Sequence, residues 1–404
     1  MIAVSGSGIA GLAAALAVLR NQKPLLLVAG RTPATTLQGG VQIAPNGWAA
    51  LDQLGLGDAA RARATALQAI TVRDMRSAAT LASLDLSASP YASLSRADLA
   101  SLLRAEISAL SGMTDIAANI THVVQRGPDQ GKAVHMLTDD KGRHIVDALI
   151  AADGVSGFGR HYVNGTDSGM ETAPNKGRVA MRAVAKTADL PRIFSQPFCN
   201  LWLGQGAHFV HYPLHGGKDV NMVLTLDAAK AGDDWQQRYL GRNDILGQLC
   251  DHADIKWVKT ALPAHPYHDC WRRGRTVLAG DAAHPIPPNL AQGAGQSLVD
   301  AASLLRWMAD DNLDSALSGY ARERSKAVGV IFKKASVSSK IMALDGTSAT
   351  ARSTLIGLGG APMLNAWLAE VWAAVSAAPS APSSADSPSA TSVLGSKGPK
   401  VRAA

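Results

Sequence analysis

Ile2-Ala3-Val4-Ser5-Gly6-Ser7-Gly8-Ile9-Ala10-Gly11-Leu12 is the stretch that decides how this chain is built. Ile2 to Val4 has the composition of a short buried strand, and Leu12 to Arg20 continues as an apolar helix. Gly6 permits the tight turn between them, Gly8 lets the backbone approach a pyrophosphate, and Gly11 lets helix and strand pack closely. Ile9 and Ala10 belong to the same turn, where a helix start offers unpaired N–H groups and a positive dipole end to an anion. Leu25 to Val28 is a second buried strand. A β-α-β dinucleotide-binding unit is therefore predicted. The apolar run Ile9 to Leu19 also resembles a secretory leader, but no Lys or Arg precedes it and the glycines keep the motif's spacing.

One departure stands out. The acidic residue expected at the end of the second strand, where it would take the adenosine ribose hydroxyls, is absent. Ala29 and Gly30 occupy that place and Arg31 follows. Arg31 is a candidate phosphate contact, with a solvated loop arginine as the alternative.

A second signal lies far downstream. Thr276 to Ala279 is a strand pattern that ends at Gly280-Asp281-Ala282-Ala283-His284-Pro285. A carboxylate at the carboxyl end of a strand can accept a ribitol hydroxyl. Pro287 and Pro288 stiffen the loop. Gln292-Gly293-Ala294-Gly295 opens a long helix, to about Met308, whose N-terminus can stabilise negative charge on a reduced flavin. His284 is expected to pack near the flavin rather than to act as a catalyst.

The 404 residues, 47% of them hydrophobic, suffice for a large core in two or three connected layers. The net charge of +7 is spread over scattered Lys and Arg without a block, and aromatics are only 5%. That pattern suits a basic enzyme with anionic ligands better than a nucleic-acid binder. Three cysteines without a C-x-x-C pair fit no disulfide framework and point to a reducing cytoplasm. No metal-ligand cluster and no uninterrupted membrane span are evident, so membrane association is not expected.

Between residues 178 and 226 the pattern changes to strands broken by Gly, Pro and Asn, as in Leu201 to Leu203, His208 to Leu214 and Val220 to Leu226. The expected fold class is α/β: a Rossmann-like domain with an inserted, mostly antiparallel sheet domain and C-terminal helices. The first domain is assigned residues 1–70, 95–175 and 265–330. The sheet domain is assigned 71–94 and 176–264, and the helical segment 331–375. Residues 376–404, rich in Ser, Ala and Pro, are expected to be disordered.

Four ordered segments together resemble the class A FAD monooxygenases, the group of para-hydroxybenzoate hydroxylase and salicylate hydroxylase, over about residues 2 to 375. They are the glycine turn; Gly39-Gly40-Val41-Gln42-Ile43-Ala44-Pro45-Asn46 with Leu51 and Leu54-Gly55-Leu56; Ser95-Arg96-Ala97-Asp98-Leu99 with Leu102-Leu103; and the pair Asp153-Gly154 and Gly280-Asp281.

The resemblance implies FAD as cofactor and NADH or NADPH as transient reductant. It implies hydroxylation of a small phenolic or benzoate-like substrate with O2 through a flavin C4a-hydroperoxide, in a monomer or homodimer. It places Arg96 on the flavin side, Asp153 near the nucleotide, Asp281 on the ribitol, and Gln42 near the flavin. Pro288 and the Gln292 to Gly295 backbone, with Gly293, Ala294 and Gly295, border the isoalloxazine ring. The strand His208 to Leu214 faces the substrate. Alternation puts His208, Val210 and Tyr212 on one face and Phe209 and His211 on the other. His208 or Tyr212 would then take a phenol proton, or His211 in the opposite register. Two alternatives stay open: a flavoenzyme of other chemistry, such as a quinone-ring hydroxylase, epoxidase or reductase, and a non-catalytic relative with impaired FAD binding.

Overall fold

The computed structural model describes residues 1–30, 39–125, 134–140, 142–165, 177–262 and 265–373. Arg31 and the 376–404 tail lie outside the described residues.

The central sheet has six strands. In spatial order they are Arg272–Arg273, Thr276–Leu278, Ala148–Ala151, Ile2–Ser5, Leu25–Val28 and Met113–Ile116. All neighbours are parallel except the first pair. Four of these strands are buried at every residue, as expected for a parallel sheet covered on both faces. The register pairs Ser5 with both Val28 and Ala151, and Ala151 with Leu278. The turns after these strands, at Gly6, Ala29, Ala152 and Ala279, therefore lie side by side along one edge, the carboxyl edge where doubly wound sheets bind ligands.

Helix Ile9–Arg20 is buried from Gly11 to Leu19 and packs beside helix Gly293–Trp307. It begins at Ile9, directly after Gly8, rather than at Leu12 as the sequence suggested. The glycine turn is thus shorter, and the helix end reaches closer to the sheet edge.

The second sheet has seven strands, in the order Val258–Leu262, Arg178–Lys186, Asp219–Asp227, His208–Leu214, Phe198–Leu203, Ala69–Asp74 and Thr80–Asp85. Neighbours are antiparallel except Phe198–Leu203 with Ala69–Asp74. One face carries Val179, Met181, Trp202, Phe209, Met222 and Leu224 into an aromatic-rich core. The other is partly covered by helix Gly346–Ala373, whose Ile356, Leu364, Leu368 and Trp372 pack on it. That helix bends at Gly360, beside Pro362. No described helix is long and apolar enough to cross a membrane.

Three sequence-based boundaries fall inside single elements: 70/71 inside strand Ala69–Asp74, 94/95 inside strand Ala92–Ser95, and 330/331 inside the continuous helix Leu313–Met342. Strand Ala69–Asp74 belongs to the second sheet, and the helix links the layers.

Candidate active site

The glycine turn is fixed by contacts that tolerate no side chain. Gly6 has φ +100°, and a Cβ there would lie 2.3 Å from the Ala152 carbonyl oxygen. A Cβ on Gly11 would lie 1.9 Å from the Gly6 carbonyl oxygen. Gly8 differs: a Cβ there would meet nothing within 4 Å. Its open side adjoins the start of helix Ile9–Arg20, which has no side-chain cap and no acidic residue in its first turn. The N–H groups of Ile9, Ala10 and Gly11 are available there to an anion.

The Gly280-Asp281 turn touches the glycine turn. Gly280 has φ +60°, and a Cβ on it would lie 2.3 Å from Ala10 Cβ. Asp281 is exposed and makes no ion pair among the described residues. Helix Gly293–Trp307 starts nearby, again without a side-chain cap or an acidic first turn, and a Cβ on Gly293 would meet nothing within 4 Å. Pro288 opens a single turn, Pro288–Leu290, that is anchored by Leu290 against Ile331, Ala335 and Val371.

Beneath these turns runs a chain of buried polar groups. The Asp300 carboxylate accepts from the Gly280 N–H (2.9 Å), from His284 Nε2 (2.6 Å) and from Arg324 Nε (2.8 Å). Arg324 also donates to Gln296 Oε1 at 2.6 Å. Gln292 Oε1 accepts from Gln296 Nε2 (3.0 Å) and Asn46 Nδ2 (2.8 Å). His284 points into this network, its ring tilted by 31° against that of Trp271 at 5.4 Å between centroids.

Arg96 begins helix Arg96–Ser108, which is capped by Ser95. Its backbone N–H donates to the Gly39 carbonyl at 3.0 Å, and its side chain has no carboxylate partner among the described residues. Gln42 is buried and accepts from the Tyr91 hydroxyl at 2.9 Å. Asp153 accepts from the Gly159 N–H at 3.0 Å; its other oxygen is shielded and unpartnered among the described residues. Desolvation holds this carboxyl above its ordinary pKa.

The strand His208–Leu214 divides the three substrate-side candidates. His211 lies on the aromatic face, with its ring 4.5 Å from that of Phe194 and near those of Trp202 and Phe209. Both its ring nitrogens are buried without partners among the described residues, and burial lowers its pKa to about 3. His211 thus lies on the face opposite to His208 and Tyr212. His208 and Tyr212 share the other face. His208 is also lowered to about 3, by burial and by Arg178 and Arg352. Burial raises the Tyr212 phenol, which stays protonated and can donate a hydrogen bond. Neither is a base poised near neutrality.

Sequence reasoning missed Arg182, Tyr91, Cys199 and Asn221. Arg182, Val223, Val210 and Leu201 form a row of cross-strand neighbours on the Tyr212 face. All four are half-buried, so this row is the open middle of that face. The signal was a single Arg in the run Val179 to Val184, which is otherwise apolar. Asn221 Oδ1 accepts from the Gly40 N–H at 2.8 Å and so joins this sheet to strand Gly40–Ile43. Cys199 lies among Tyr91 and Tyr212, and burial pushes its thiol up to about 12.

The arrangement fits FAD: two uncapped helix starts, open glycines at both, and an exposed carboxylate between them. Residues 1–334 match the model of the FAD binding domain family. The chain belongs to this family. It is 30% identical over 332 residues to the 3-hydroxybenzoate 6-hydroxylase of Klebsiella oxytoca, covering 78% of this chain and 81% of that one. It is also 30% identical to the 3-amino-4-hydroxybenzoate 2-monooxygenase of Streptomyces cremeus, covering 75% and 77%. Among solved structures, Klebsiella pneumoniae HpxO complexed with FAD and uric acid superposes with a TM-score of 0.78 at 20% identity, covering 93% of this chain and 97% of that one. A salicylate hydroxylase substrate complex gives 0.73 at 20% identity, covering 94% and 98%. The protein is a class A FAD-dependent aromatic monooxygenase, reduced by NAD(P)H.

One ion cluster ties the sheet to the flavin-side helix. His215 Nδ1 lies 2.6 Å from Asp219 and its Nε2 lies 3.1 Å from Asp98, while Lys186 also pairs with Asp219 at 2.8 Å. The hydrogen bond to Asp219 chiefly raises the His215 pKa above 6.5. The stabilisation is therefore complete below the unfolded value and is lost as pH rises through the folded one. Between about pH 6 and about pH 8.5 the wild-type melting temperature should fall relative to that of His215→Ala, less so at high salt. Parallel curves for the two proteins would dismiss this contribution.

Proposed function

We propose that the substrate is a phenolic aromatic carboxylate, held between the flavin-side turns and the open row Leu201, Val210, Val223 and Arg182. The observation that carries this reading is Arg182. It is half-buried at the end of an apolar floor, it neighbours Arg96 and Tyr212, and it has no carboxylate partner among the described residues. A partly desolvated guanidinium with that neighbour set favours an anionic ligand. The curated relatives named above carry hydroxybenzoate substrates in their names.

The bound flavin supplies oxygen activation and hydride acceptance. The protein's own groups bind and orient. Gly6 to Gly11 and the start of helix Gly293–Trp307 hold anionic parts of the cofactor, and Asp281 takes a ribitol hydroxyl. Leu201, Val210 and Val223 exclude water from the ring. Arg182 holds the carboxylate, and the protonated Tyr212 donates to a ring substituent.

Purified enzyme should oxidise NAD(P)H faster with hydroxybenzoates than with the matching phenols that lack a carboxylate, and should incorporate one atom from labelled O2. Consumption of NAD(P)H without incorporation would favour a reductase. Arg182→Met should raise KM for the carboxylate at least about tenfold, because a hydrogen bond to a charged group contributes about 1.5–3 kcal/mol. A KM within about twofold of wild type would remove Arg182 from the site.

A further inference from the structure

The second central strand ends without an acidic residue, and its end is filled from elsewhere in the chain. Val28 pairs with Ile116, so the loop after strand Met113–Ile116 runs beside Ala29 and Gly30. The Ala29 N–H donates to the Ile116 carbonyl at 3.0 Å. Asn119, three residues further on, lays its side chain across Gly30. A Cβ on Gly30 would lie 2.1 Å from Asn119 Oδ1 and 2.8 Å from its Cγ. Gly30 is not among the positive-φ glycines, so its backbone does not call for glycine; a side chain there would instead displace the Asn119 amide.

Asp139 fixes which end of that amide faces Gly30. The Asn119 backbone N–H donates to Asp139 Oδ1 at 3.0 Å, and Asn119 Nδ2 donates to Asp139 Oδ2 at 2.8 Å. An ionised carboxylate only accepts, so the NH2 end must face Asp139 and the oxygen must face Gly30. These two donors hold the Asp139 pKa below its ordinary value, which keeps the anchor ionised. Asn119 is exposed, and its Oδ1 has no partner among the described residues. The carboxyl edge of the sheet thus presents one oriented, unused carbonyl oxygen at the place where a dinucleotide fold needs a ribose acceptor.

We propose that Asn119, oriented by Asp139, accepts the adenosine ribose hydroxyls of FAD in place of the acidic residue missing at positions 29 and 30. Gly30 and Asn119 are a matched pair: the side chain has moved from the strand end to the adjacent loop, and the strand end has been emptied to admit it. The acceptor is a neutral amide rather than a carboxylate, so its hydrogen bond is weaker than the usual one.

The test titrates apoprotein of the full chain with FAD and with FMN, which lacks the adenosine, following quenching of flavin fluorescence. Asn119→Ala should weaken FAD about fivefold to tenfold and leave FMN within about twofold. Adding Gly30→Glu to Asn119→Ala should return FAD affinity to within about twofold of wild type, because the emptied volume then holds a carboxylate. Asp139→Ala should move FAD binding in the same direction by a smaller factor. The proposal is overturned by unchanged FAD affinity in Asn119→Ala, by equal loss for FAD and FMN, or by no recovery in the double variant. None of these readouts requires an aromatic substrate, so failure of the substrate reading above would leave them intact.

Discussion

Arg324→Met is expected to destabilise the protein by about 3–5 kcal/mol, the range for removing one partner of a buried ion pair. Arg324 and Asp300 have side chains only 1% exposed, 2.8 Å apart. Without the guanidinium, Asp300 keeps His284 and the Gly280 N–H, so its charge is partly compensated and the loss should sit toward the low end of that range. Gln296 Oε1 also loses the Arg324 donor. Even the low end is a large share of a typical folding free energy of about 5–15 kcal/mol. The contrast is Arg306→Met. Arg306 pairs with Glu323 at 2.5 Å, but its side chain is 38% exposed, and its loss should cost less than about 1 kcal/mol. Denaturant unfolding of the apoproteins measures both. A loss under about 1 kcal/mol in Arg324→Met would show that the surrounding amides, not the ion pair, hold this layer. FAD binding should weaken as well in Arg324→Met, because the Asp300 oxygen that takes the Gly280 N–H also takes His284, and the two set the turn that presents Asp281.

Strands Ile2–Ser5, Leu25–Val28 and Thr276–Leu278 of the central sheet were legible because parallel strands buried on both faces are uninterrupted apolar runs, whereas the edge strand Met113–Ile116, exposed at three of its four residues, carries no such run. The glycine turn was legible because close backbone approach leaves glycine as the only residue that fits at positions 6 and 11. The substrate face was harder. Alternation sorted His208, Val210 and Tyr212 from Phe209 and His211, but it could not say which set faced the site. One face of this sheet is covered by an aromatic core and the other partly by helix Gly346–Ala373, so five of the seven residues from His208 to Leu214 could be apolar on either side without betraying direction. Arg182 became meaningful only through its cross-strand row, whose other members Leu201, Val210 and Val223 lie about 20 to 40 positions from it in the chain, and its pairing with Val223 over that distance carries no local signal. The same holds for Asn119, which answers a gap at Gly30 from a different strand end.

Gly8→Ala and Gly11→Ala should separate cofactor binding from folding. The two glycines belong to one motif, yet their surroundings are opposite. A Cβ on Gly11 would sit 1.9 Å from the Gly6 carbonyl oxygen, inside the backbone of the turn, where no flexible side chain can yield. Gly11→Ala must therefore push helix Ile9–Arg20 off the sheet edge, and the apoprotein should lose roughly 1–3 kcal/mol, the cost of overpacking a dense interior. A Cβ on Gly8 would meet nothing within 4 Å, and its φ of −74° and ψ of −179° are ordinary for alanine. Gly8→Ala should leave the apoprotein's stability within about 0.5 kcal/mol of wild type. The open space at Gly8 is the approach to the helix N-terminus, so a methyl group there holds the pyrophosphate away from the N–H groups. Losing two hydrogen bonds to a charged group, at about 1.5 kcal/mol each, amounts to roughly a hundredfold in FAD affinity. Urea unfolding and FAD titration of both variants give four numbers. If Gly8→Ala bound FAD like wild type, the phosphates would have to lie elsewhere along the edge, and the uncapped start of helix Gly293–Trp307 would be the remaining place for them.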